Sequence, residues 1–316
     1  MNPLSAIFGA GVALRNTLYD RRVFPVKKLS RPVVSIGNIS VGGSGKTPFL
    51  IELGQLLAKR GIAFDVLSRG YGRSSTEIAV VDPNGSPTQF GDEPLLIAQK
   101  LQVPVVVGSD RYQAGLLAEK KFAGKLHLLD DGFQHRRLHR DFDIVMLPAA
   151  DQDGILLPTG RLREPTTGLN RADAVVLFDS PELQLQVKHV WRARRAVDIP
   201  SAGGKVIAFS GIGRPKQFFD ALTSANQEIV RTIIFRDHHR YDQSDINRLL
   251  ALKKQTNADT FVTTEKDLIN LGALSSKLLP LLTAKLRIEL ESPQQVAIEI
   301  IKTIEQRSGQ RILSPA

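Results

Sequence analysis

Apolar and polar residues follow one another in short blocks that predict β-strands separated by amphipathic helices. Val33, Val34 and Ile36 form an apolar run that predicts a short buried strand. After a glycine-rich segment, apolar residues recur at helical spacing from Thr47 onward. The apolar face of this helix comprises Phe49, Leu50, Leu53, Leu56 and Leu57. Gly61 is placed to end it.

The same alternation continues through the first two thirds of the chain. Further strands are predicted at 64–67, 78–81 and 103–107 and in "KLHLLDDG", "DFDIVML" and "ADAVVLF". Helices are predicted in "GDEPLLIAQKL", "SDRYQAGLLAEKKFAG" and "PELQLQVKHVWRARR". Strands that alternate with helices in this way favour a mostly parallel sheet covered by helices.

A domain boundary is predicted between Asp198 and Lys205, in "DIPSAGGK". Strands predicted at 206–209, 229–235 and 260–263 follow, and "LRIELE" and "SPQQVAIEIIKTIEQ" add a final strand and helix. The predicted organisation is therefore an N-terminal segment 1–31, a core 32–200 and a smaller C-terminal α/β domain 201–316. A cleft between two such units is a usual place for a binding site.

The N-terminal segment has a pattern of its own. Leu4, Ile7, Phe8, Leu14 and Leu18 recur at helical spacing. The apolar run is shorter than the roughly 20 residues that span a bilayer, and it lacks the basic start and cleavage site of a signal peptide. An apolar helical face followed by basic residues favours a helix on an anionic membrane surface. Packing of this helix on the protein's own core is the alternative.

Charge and composition narrow the function classes. The chain has 316 residues and a net charge of +10. Half of that charge lies before Pro32, where six basic residues accompany one acidic residue. Such a balance favours anionic partners, which include nucleic acid, a phospholipid surface and phosphorylated substrates. No cysteine is present, which excludes disulfides, thiolate metal sites and a cysteine nucleophile.

The glycine-rich segment carries the first chemical signal. It reads "SVGGSGKT", Ser40, Val41, Gly42, Gly43, Ser44, Gly45, Lys46 and Thr47, between the predicted strand and helix. Exposed N–H groups and the helix dipole make such a junction an anion site. Lys46 would add charge at the β- and γ-phosphates of a nucleotide, and Thr47 a hydroxyl for Mg²⁺. This is a P-loop in which Ser40 replaces the usual first glycine.

Two acids form the second signal. Asp130 and Asp131 stand at the carboxyl end of a hydrophobic strand, where ligands bind in open α/β sheets. An acid at this place holds Mg²⁺ in P-loop enzymes, and capping of the next turn is the alternative role.

Other polar stretches remain open to two interpretations. Asp92 and Glu93 begin a helix, where acids complement the helix dipole, although a kinase also needs a base at its acceptor hydroxyl. His238 and His239 are adjacent, so at most one is expected to face a site. "LLPTGRLREP" is a rigid charged loop that contains Glu164, and "TTEKD" suits a capped helix start or a nucleotide contact.

Two other classes of P-loop protein fit less well. A GTPase or metallochaperone-like switch would need an Asn-Lys-x-Asp or Thr-Lys-x-Asp base-reading motif, and "TEKD" has the wrong spacing. A nucleic-acid-dependent ATPase would use aromatic stacking residues, but aromatic residues make up only 6% of this chain.

Together the motifs closely resemble the tetraacyldisaccharide 4'-kinases, the lipid A 4'-kinases of Gram-negative bacteria. The matching strings, in the family's order, are "GNISVGGSGKTP", "SRGYGR", "GDEP", "LLDDGFQH", "LPTGRLREP", "DHHRY" and "TTEKD". Ser40 in the P-loop is a family trait. The resemblance implies a P-loop NTPase-type core with a smaller C-terminal domain and an N-terminal membrane helix.

The resemblance also implies an activity and site residues. The enzyme would move the γ-phosphate of ATP to the 4'-hydroxyl of a tetraacyldisaccharide 1-phosphate and yield lipid IV-A. Asp92 would be the base, assisted by His238, while the P-loop with Lys46 would bind ATP. Thr47, Asp130, Asp131 and Glu164 are the candidate Mg²⁺ or phosphate ligands. The expected location is the cytoplasmic face of the inner membrane, held peripherally, with no nucleic-acid or protein partner.

Overall fold

A twelve-stranded, mostly parallel sheet runs through the molecule. The computed structural model describes residues 2–152, 154–178 and 186–313. The helices of this part are α1 Pro3–Asp20, α2 Lys46–Ala58, α3 Pro87–Phe90, α4 Asp92–Leu101, α5 Arg111–Lys121, α6 Pro215–Ser224, α7 Gln243–Thr256, α8 Glu265–Leu271 and α9 Pro293–Ser308. None of the helices within the described ranges has the length and apolar character needed to cross a bilayer.

The strands follow the predicted order closely. They are β1 Val33–Asn38, β2 Phe64–Ser68, β3 Ala79–Val80, β4 Val105–Val107, β5 Leu126–Asp130, β6 Phe142–Pro148, β7 Ala174–Phe178, β8 His189–Asp198, β9 Lys205–Ser210, β10 Glu228–Ile234, β11 Thr260–Thr264 and β12 Leu281–Leu290. Across the sheet their order is β10-β9-β11-β12-β8-β7-β6-β1-β5-β2-β4-β3. The predicted α/β class is confirmed.

One element prediction is wrong. The segment from His189 is the strand β8 and not the end of a helix; residues 181–185 of that predicted helix lie outside the described residues. Trp191 and Ala193 are buried, and β8 pairs in parallel with β7 and antiparallel with β12. Sheet pairing on both sides therefore overrides the local helical pattern.

β12 joins the two halves of the sheet. Its first residues pair in parallel with β11, and Lys285–Leu290 pair antiparallel with β8. The predicted linker does lie between β8 and β9. However, Val296, Ile300 and Ile304 of α9 belong to the apolar core of the N-terminal half. The last strand and helix of the predicted C-terminal domain thus return to the first core.

The sheet order brings three polar strand ends together. β1 lies between β5 and β6, and β2 lies on the other side of β5. Asn38, Asp130 and Ser68 are the last residues of β1, β5 and β2. Because these strands are parallel, all three residues lie at the same carboxyl edge of the sheet.

α1 is seated on the protein along one side only. Asn2 caps it by accepting a hydrogen bond from the Leu4 N–H at 3.0 Å. Ser5 and Val12 are buried, while Ile7 and Leu14, on another face, are 70% and 62% exposed. The helix therefore packs on the protein along one face and presents apolar side chains to solvent along another.

Candidate active site

The glycine loop between β1 and α2 has the backbone of an anion site. Gly42, Gly43 and Gly45 have φ values of 71°, 35° and 90°, which side-chain-bearing residues rarely adopt. Gly45 is the N-cap of α2, and no side chain caps the helix there. The first N–H groups of α2 therefore remain available to an anion, as a P-loop requires.

Lys46 is held between the loop and the neighbouring strand ends. Its Nζ donates a hydrogen bond to Asn38 Oδ1 at 3.1 Å and lies 3.4 Å from Asp131 Oδ1. Arg163 makes a second ion pair with Asp131, at 3.0 Å from its Oδ2. Burial by itself would raise the pKa of Asp131. The charges of Lys46 and Arg163 outweigh burial, and the pKa of Asp131 is lowered. Asp131 thus orients two cations beside the P-loop.

Asp130 fits a cation site. Its side chain is only 3% exposed, Oδ2 accepts a hydrogen bond from Ser68 Oγ at 2.9 Å, and Oδ1 is buried without a partner. Burial, together with the charges of Glu93 and Asp131, raises the pKa of Asp130 to about 7. A buried oxygen without a donor is costly, and a cation would relieve that cost.

The donor set suits Mg²⁺ in particular. Thr47 is buried at the start of α2, and both Thr47 and Asp130 line one cleft with the P-loop. Among the described residues, no three acidic or histidine side chains are grouped to hold a metal by themselves. Mg²⁺ typically takes one or two protein oxygens and completes its shell with substrate phosphates and water. The residues present fit that arrangement.

The second constellation joins the two halves of the chain. His238 Nδ1 lies 2.8 and 3.0 Å from the two carboxylate oxygens of Asp92 at the start of α4. Asn270 Nδ2 donates a further hydrogen bond to Asp92 Oδ2 at 3.1 Å. Burial alone would raise the pKa of Asp92, but the His238 hydrogen bond and the Lys266 charge lower it to about 2. Asp92 is therefore an ionised acceptor at neutral pH.

Lys266 fixes the other side of the His238 ring. Its Nζ lies 3.2 Å from His238 Nε2 and 3.1 Å from Glu93 Oε1. An ammonium group donates only, so Nε2 must accept from it, and the neutral ring then carries its proton on Nδ1 toward Asp92. Burial would lower the pKa of His238, but the hydrogen bond to Asp92 outweighs it and raises that pKa. His238, which lines the cleft, therefore presents an imidazole whose basicity is increased by the buried Asp92 carboxylate.

The two adjacent histidines diverge, as the sequence analysis expected. His238 has φ 57°, a left-handed turn that sends its side chain toward Asp92. His239 points elsewhere, with Nε2 2.8 Å from Asp245 Oδ2 and its ring stacked on Phe235. Only His238 of the two lines the cleft.

The P-loop and His238, the partner of the buried Asp92, line a single cleft of about 1120 Å³. Its wall contains the P-loop from Val41 to Thr47 together with Asp130, Asp131, Glu93, His238 and Lys266. An anion site and a proton acceptor in one cavity can serve a transfer between a nucleotide and a hydroxyl.

Three predicted site residues do not line this cleft: Asp92, which contacts the cleft-lining His238, and Ser40 and Glu164. Ser40 is fully buried, and its Oγ donates a hydrogen bond to Asp151 Oδ2 at 2.6 Å. Glu164 is also fully buried and forms an ion pair with Arg171 at 2.6 Å. Glu164 does not line the cleft, so the structure does not bring it to the metal site that the resemblance implied.

Sequence reasoning missed the contact that ties the second half of the chain to the P-loop. Arg214 Nη2 lies 3.1 Å from both oxygens of Asp151, which also holds Ser40. The stem of Arg214 packs on Gly43 so closely that a Cβ there would meet its Cγ at 2.7 Å. The string "GIGRP", a glycine pair before a proline-started helix, is the signal that could have drawn attention to Arg214.

Comparison with known proteins identifies relatives of this chain. The family model for tetraacyldisaccharide-1-P 4'-kinase matches residues 1–305. The tetraacyldisaccharide 4'-kinase of Koribacter versatilis is 51% identical, covering 98% of this chain and 100% of that protein. The corresponding protein of Aquifex aeolicus is 39% identical, covering 85% and 88% of the two chains.

A solved structure agrees with these sequence relatives. It is the crystal structure of LpxK from Aquifex aeolicus in complex with ATP, with a TM-score of 0.78 and 33% sequence identity. The match covers 96% of this chain and 98% of that one. This chain therefore belongs to the tetraacyldisaccharide-1-P 4'-kinase family.

Proposed function

We propose that this protein transfers the γ-phosphate of ATP to the 4'-hydroxyl of a tetraacyldisaccharide 1-phosphate, giving lipid IV-A. The observation that carries the proposal is the single cleft lined by the P-loop and by His238, whose ring is hydrogen-bonded to the buried Asp92. A nucleotide switch needs the first constellation only, whereas a kinase needs both. ATP turnover measured with the lipid disaccharide, with RNA or DNA, and with neither acceptor distinguishes these classes.

The P-loop residues would bind and orient the triphosphate. The glycine loop and the first residues of α2 line the cleft, no side chain caps that helix, and Lys46 would bring a charge to the β- and γ-phosphates. Arg163 stands nearby through its ion pair with Asp131. Such fixed charges stabilise a phosphoryl-transfer transition state without reorganisation of the site.

Asp92 would act on the acceptor hydroxyl through His238, the member of the pair that lines the cleft. With a pKa near 2, Asp92 is a weak base by itself, so the proton would pass to the Asp92–His238 pair late in the transfer. Asn270 and Lys266 keep the pair in place. A loose transition state makes little demand on the strength of the base, which suits this arrangement.

Thr47 and Asp130, with Asp131 beside them, are the residues that would hold Mg²⁺. When bound, the ion would supply neutralisation of charge on the β- and γ-phosphates. Asp130→Asn should raise the Mg²⁺ concentration needed for half-maximal activity by about tenfold or more, because it removes a ligand charge. Thr47→Ala should lower activity in a way that excess Mg²⁺ only partly restores.

A Mg²⁺ titration of ATP turnover checks this prediction. The matched control is Asp82→Asn, which removes the same charge in an exposed turn after β3, outside the cleft. Asp65→Asn is unsuitable because Asp65 is buried beside His127. If Asp130→Asn kept the wild-type titration curve, the assignment of Asp130 to the metal would be wrong.

The acceptor is a lipid, so we also propose that α1 lies on an anionic membrane surface. Leu4, Ile7 and Leu14 form an exposed apolar row at three- and seven-residue spacing. Arg21, Arg22 and Lys28, just beyond α1, are exposed as well. Each basic residue near an anionic surface is worth about 1 kcal/mol. Arg15, within α1, instead forms an ion pair with the buried Glu164 at 3.5 Å.

Replacing Ile7 and Leu14 together by aspartate should release the protein from anionic vesicles. Burial of two such side chains stabilises the bound state by about 3 kcal/mol, so membrane partition should fall on the order of a hundredfold. Both side chains face solvent, and thermal unfolding should therefore be unaffected. Vesicle co-sedimentation measures the effect.

A matched control uses two exposed apolar residues far from α1 in sequence. Ile234 and Leu279 are 64% and 68% exposed, and aspartate at both should leave vesicle binding unchanged. Equal losses in the two double variants would show that general surface charge, and not α1, governs binding. Retained binding in the α1 variant would place the membrane contact elsewhere.

A further inference from the structure

A loop of residues 154–165, here called the arginine loop, lies between α1 and the P-loop. It carries Arg161, Arg163 and Glu164. Its two sides make different contacts, one with the N-terminal helix and one with the nucleotide site. The loop therefore connects a proposed membrane element to a proposed catalytic one through a continuous set of polar contacts.

The contacts with α1 are specific and buried. Ser5 is fully buried; its Oγ donates a hydrogen bond to the Leu156 carbonyl oxygen at 2.8 Å and lies 2.6 Å from Thr159 Oγ1. One turn later, Gly9 meets Leu156 so closely that a Cβ at Gly9 would lie 2.8 Å from Leu156 Cδ1. α1 is therefore hydrogen-bonded to this loop and packs closely against it.

Glu164 is the second anchor of the helix. Its carboxylate is fully buried. Asn16 Nδ2 donates a hydrogen bond to Oε2 at 3.1 Å, and Arg15 Nη2 lies 3.5 Å from Oε1. Arg171 holds both oxygens from the protein side, at 2.6 and 2.9 Å. The carboxylate therefore joins α1 to the end of the arginine loop.

On its other side the loop supports the P-loop. Val41 N–H donates to the Arg161 carbonyl oxygen at 2.8 Å, and Arg163 N–H donates to the Ile39 carbonyl oxygen at 2.6 Å. Arg161 Nη2 donates to the Val41 carbonyl oxygen at 2.7 Å. Arg163 also reaches Asp131, the acid that pairs with Lys46. A shift of the loop would therefore move both the start of the P-loop and the cations around it.

We infer that Glu164 is a positioning residue that couples the seating of α1 to nucleotide affinity. The inference rests on the proposed function, because it takes α1 as the membrane contact and the P-loop as the ATP site. It also gives Glu164 a role other than a metal ligand. By thermodynamic linkage, a membrane that favours the seated helix should tighten ATP binding, and ATP should tighten membrane binding by the same factor.

The measurement is the ratio of the ATP dissociation constants without and with vesicles, using the full chain, Mg²⁺ and a fluorescent ATP analogue. The vesicles contain phosphatidylethanolamine and phosphatidylglycerol in equal parts. For the wild type we expect tighter binding on vesicles, on the order of fivefold. In the double variant Ser5→Ala/Asn16→Ala, which removes the α1 hydrogen bonds of both anchors and leaves the longer Arg15–Glu164 contact, the ratio should fall toward one.

Thr17→Ala is the matched control. Thr17 follows Asn16, is exposed, and donates its hydroxyl only within its own helix, to the Ala13 carbonyl oxygen. This variant should keep the wild-type ratio. Glu164→Gln, which keeps the shape of the side chain and weakens its ion pairs, should lower the ratio like the double variant. Thermal unfolding checks that every variant is folded.

The possible results distinguish a failure of the coupling from a failure of membrane docking or of kinase activity. A wild-type ratio of one on protein that co-sediments with vesicles would overturn the coupling, as would a wild-type ratio in the folded double variant. Wild-type protein that stays in the supernatant would refute membrane docking and the coupling together. Phosphorylation of the lipid acceptor in detergent would then still report independently on the kinase activity.

Discussion

Lys46→Ala should abolish phosphoryl transfer, with a loss of at least about a thousandfold in turnover, comparable to the loss of a preorganised group that stabilises developing charge. Lys46 is the lysine of the P-loop, and its Nζ is held by Asn38 and Asp131 at the carboxyl edge of the sheet. Its removal takes that charge away from the β- and γ-phosphates. It also removes one of the two cations that contact Asp131, the other being Arg163. Single-turnover kinetics with saturating ATP measure the effect on the chemical step.

The control for this variant lies on the same helix. Lys59 is the exposed C-cap residue of α2, and Lys59→Ala changes the net charge equally at the far end from the cleft. It should keep wild-type turnover. Near-normal activity of Lys46→Ala would mean that the glycine loop is not the nucleotide site.

Asp92→Asn should reduce turnover by about 10²–10⁴-fold, the usual contribution of a general base, while ATP affinity stays close to that of the wild type. Turnover and ATP affinity should respond differently because Asp92 lies outside the P-loop. Asp92 contacts His238 and Asn270, whereas the groups around the P-loop that would bind ATP do not depend on it. Separate measurement of the rate of transfer and of the ATP dissociation constant checks the split.

The neighbouring histidines provide an internal comparison. His238→Ala should follow Asp92→Asn, because it removes the partner that shares the proton. His239→Ala should be milder, since His239 bonds to Asp245 and stacks on Phe235 away from the cleft. Equal losses in the two histidine variants would contradict the role of His238. A weakened ATP affinity with unchanged turnover in Asp92→Asn would reduce Asp92 to a cap of α4.

The parts of the site that the sequence predicted are the local ones. The strand, glycine loop and helix around Lys46 follow one another along the chain, so their geometry is determined by glycine conformation and helix capping over a few residues. Asp130 and Asp131 were predictable for the same reason, as acids that end a hydrophobic strand. In these cases the residues that form each motif are neighbours in the sequence.

The contacts that depend on tertiary packing were not predictable from local pattern. Composition alone could not decide whether Asp92 caps a helix or acts on substrate, because its partner His238 is far along the chain and reaches it only when the two halves pack. The string "GIGRP" could have drawn attention to Arg214 but not to its partner Asp151, which lies far away in the sequence. Glu164 stands in a string typical of the family, yet its carboxylate turns toward α1 and Arg171.

The secondary structure of β8 shows the same limit. The string around Trp191 has apolar and basic residues at spacings that also suit a helix. In the structure, Trp191 stacks against Phe142 at 5.9 Å and donates its indole N–H to Glu299 at 2.7 Å. These contacts come from β6 and α9, so pairing and packing, not local propensity, determine the strand.

Incubation of the enzyme with γ-phosphate-labelled ATP, Mg²⁺ and a tetraacyldisaccharide 1-phosphate tests the central claim most directly. We expect the wild type and Lys59→Ala to form a labelled lipid whose new phosphate is located at the 4' position by NMR. Lys46→Ala and Asp92→Asn should form almost none. Label that appears only as inorganic phosphate would contradict transfer to the lipid. Label that appears on the lipid at equal rates in the wild type and Asp92→Asn would contradict the role of Asp92 as the base.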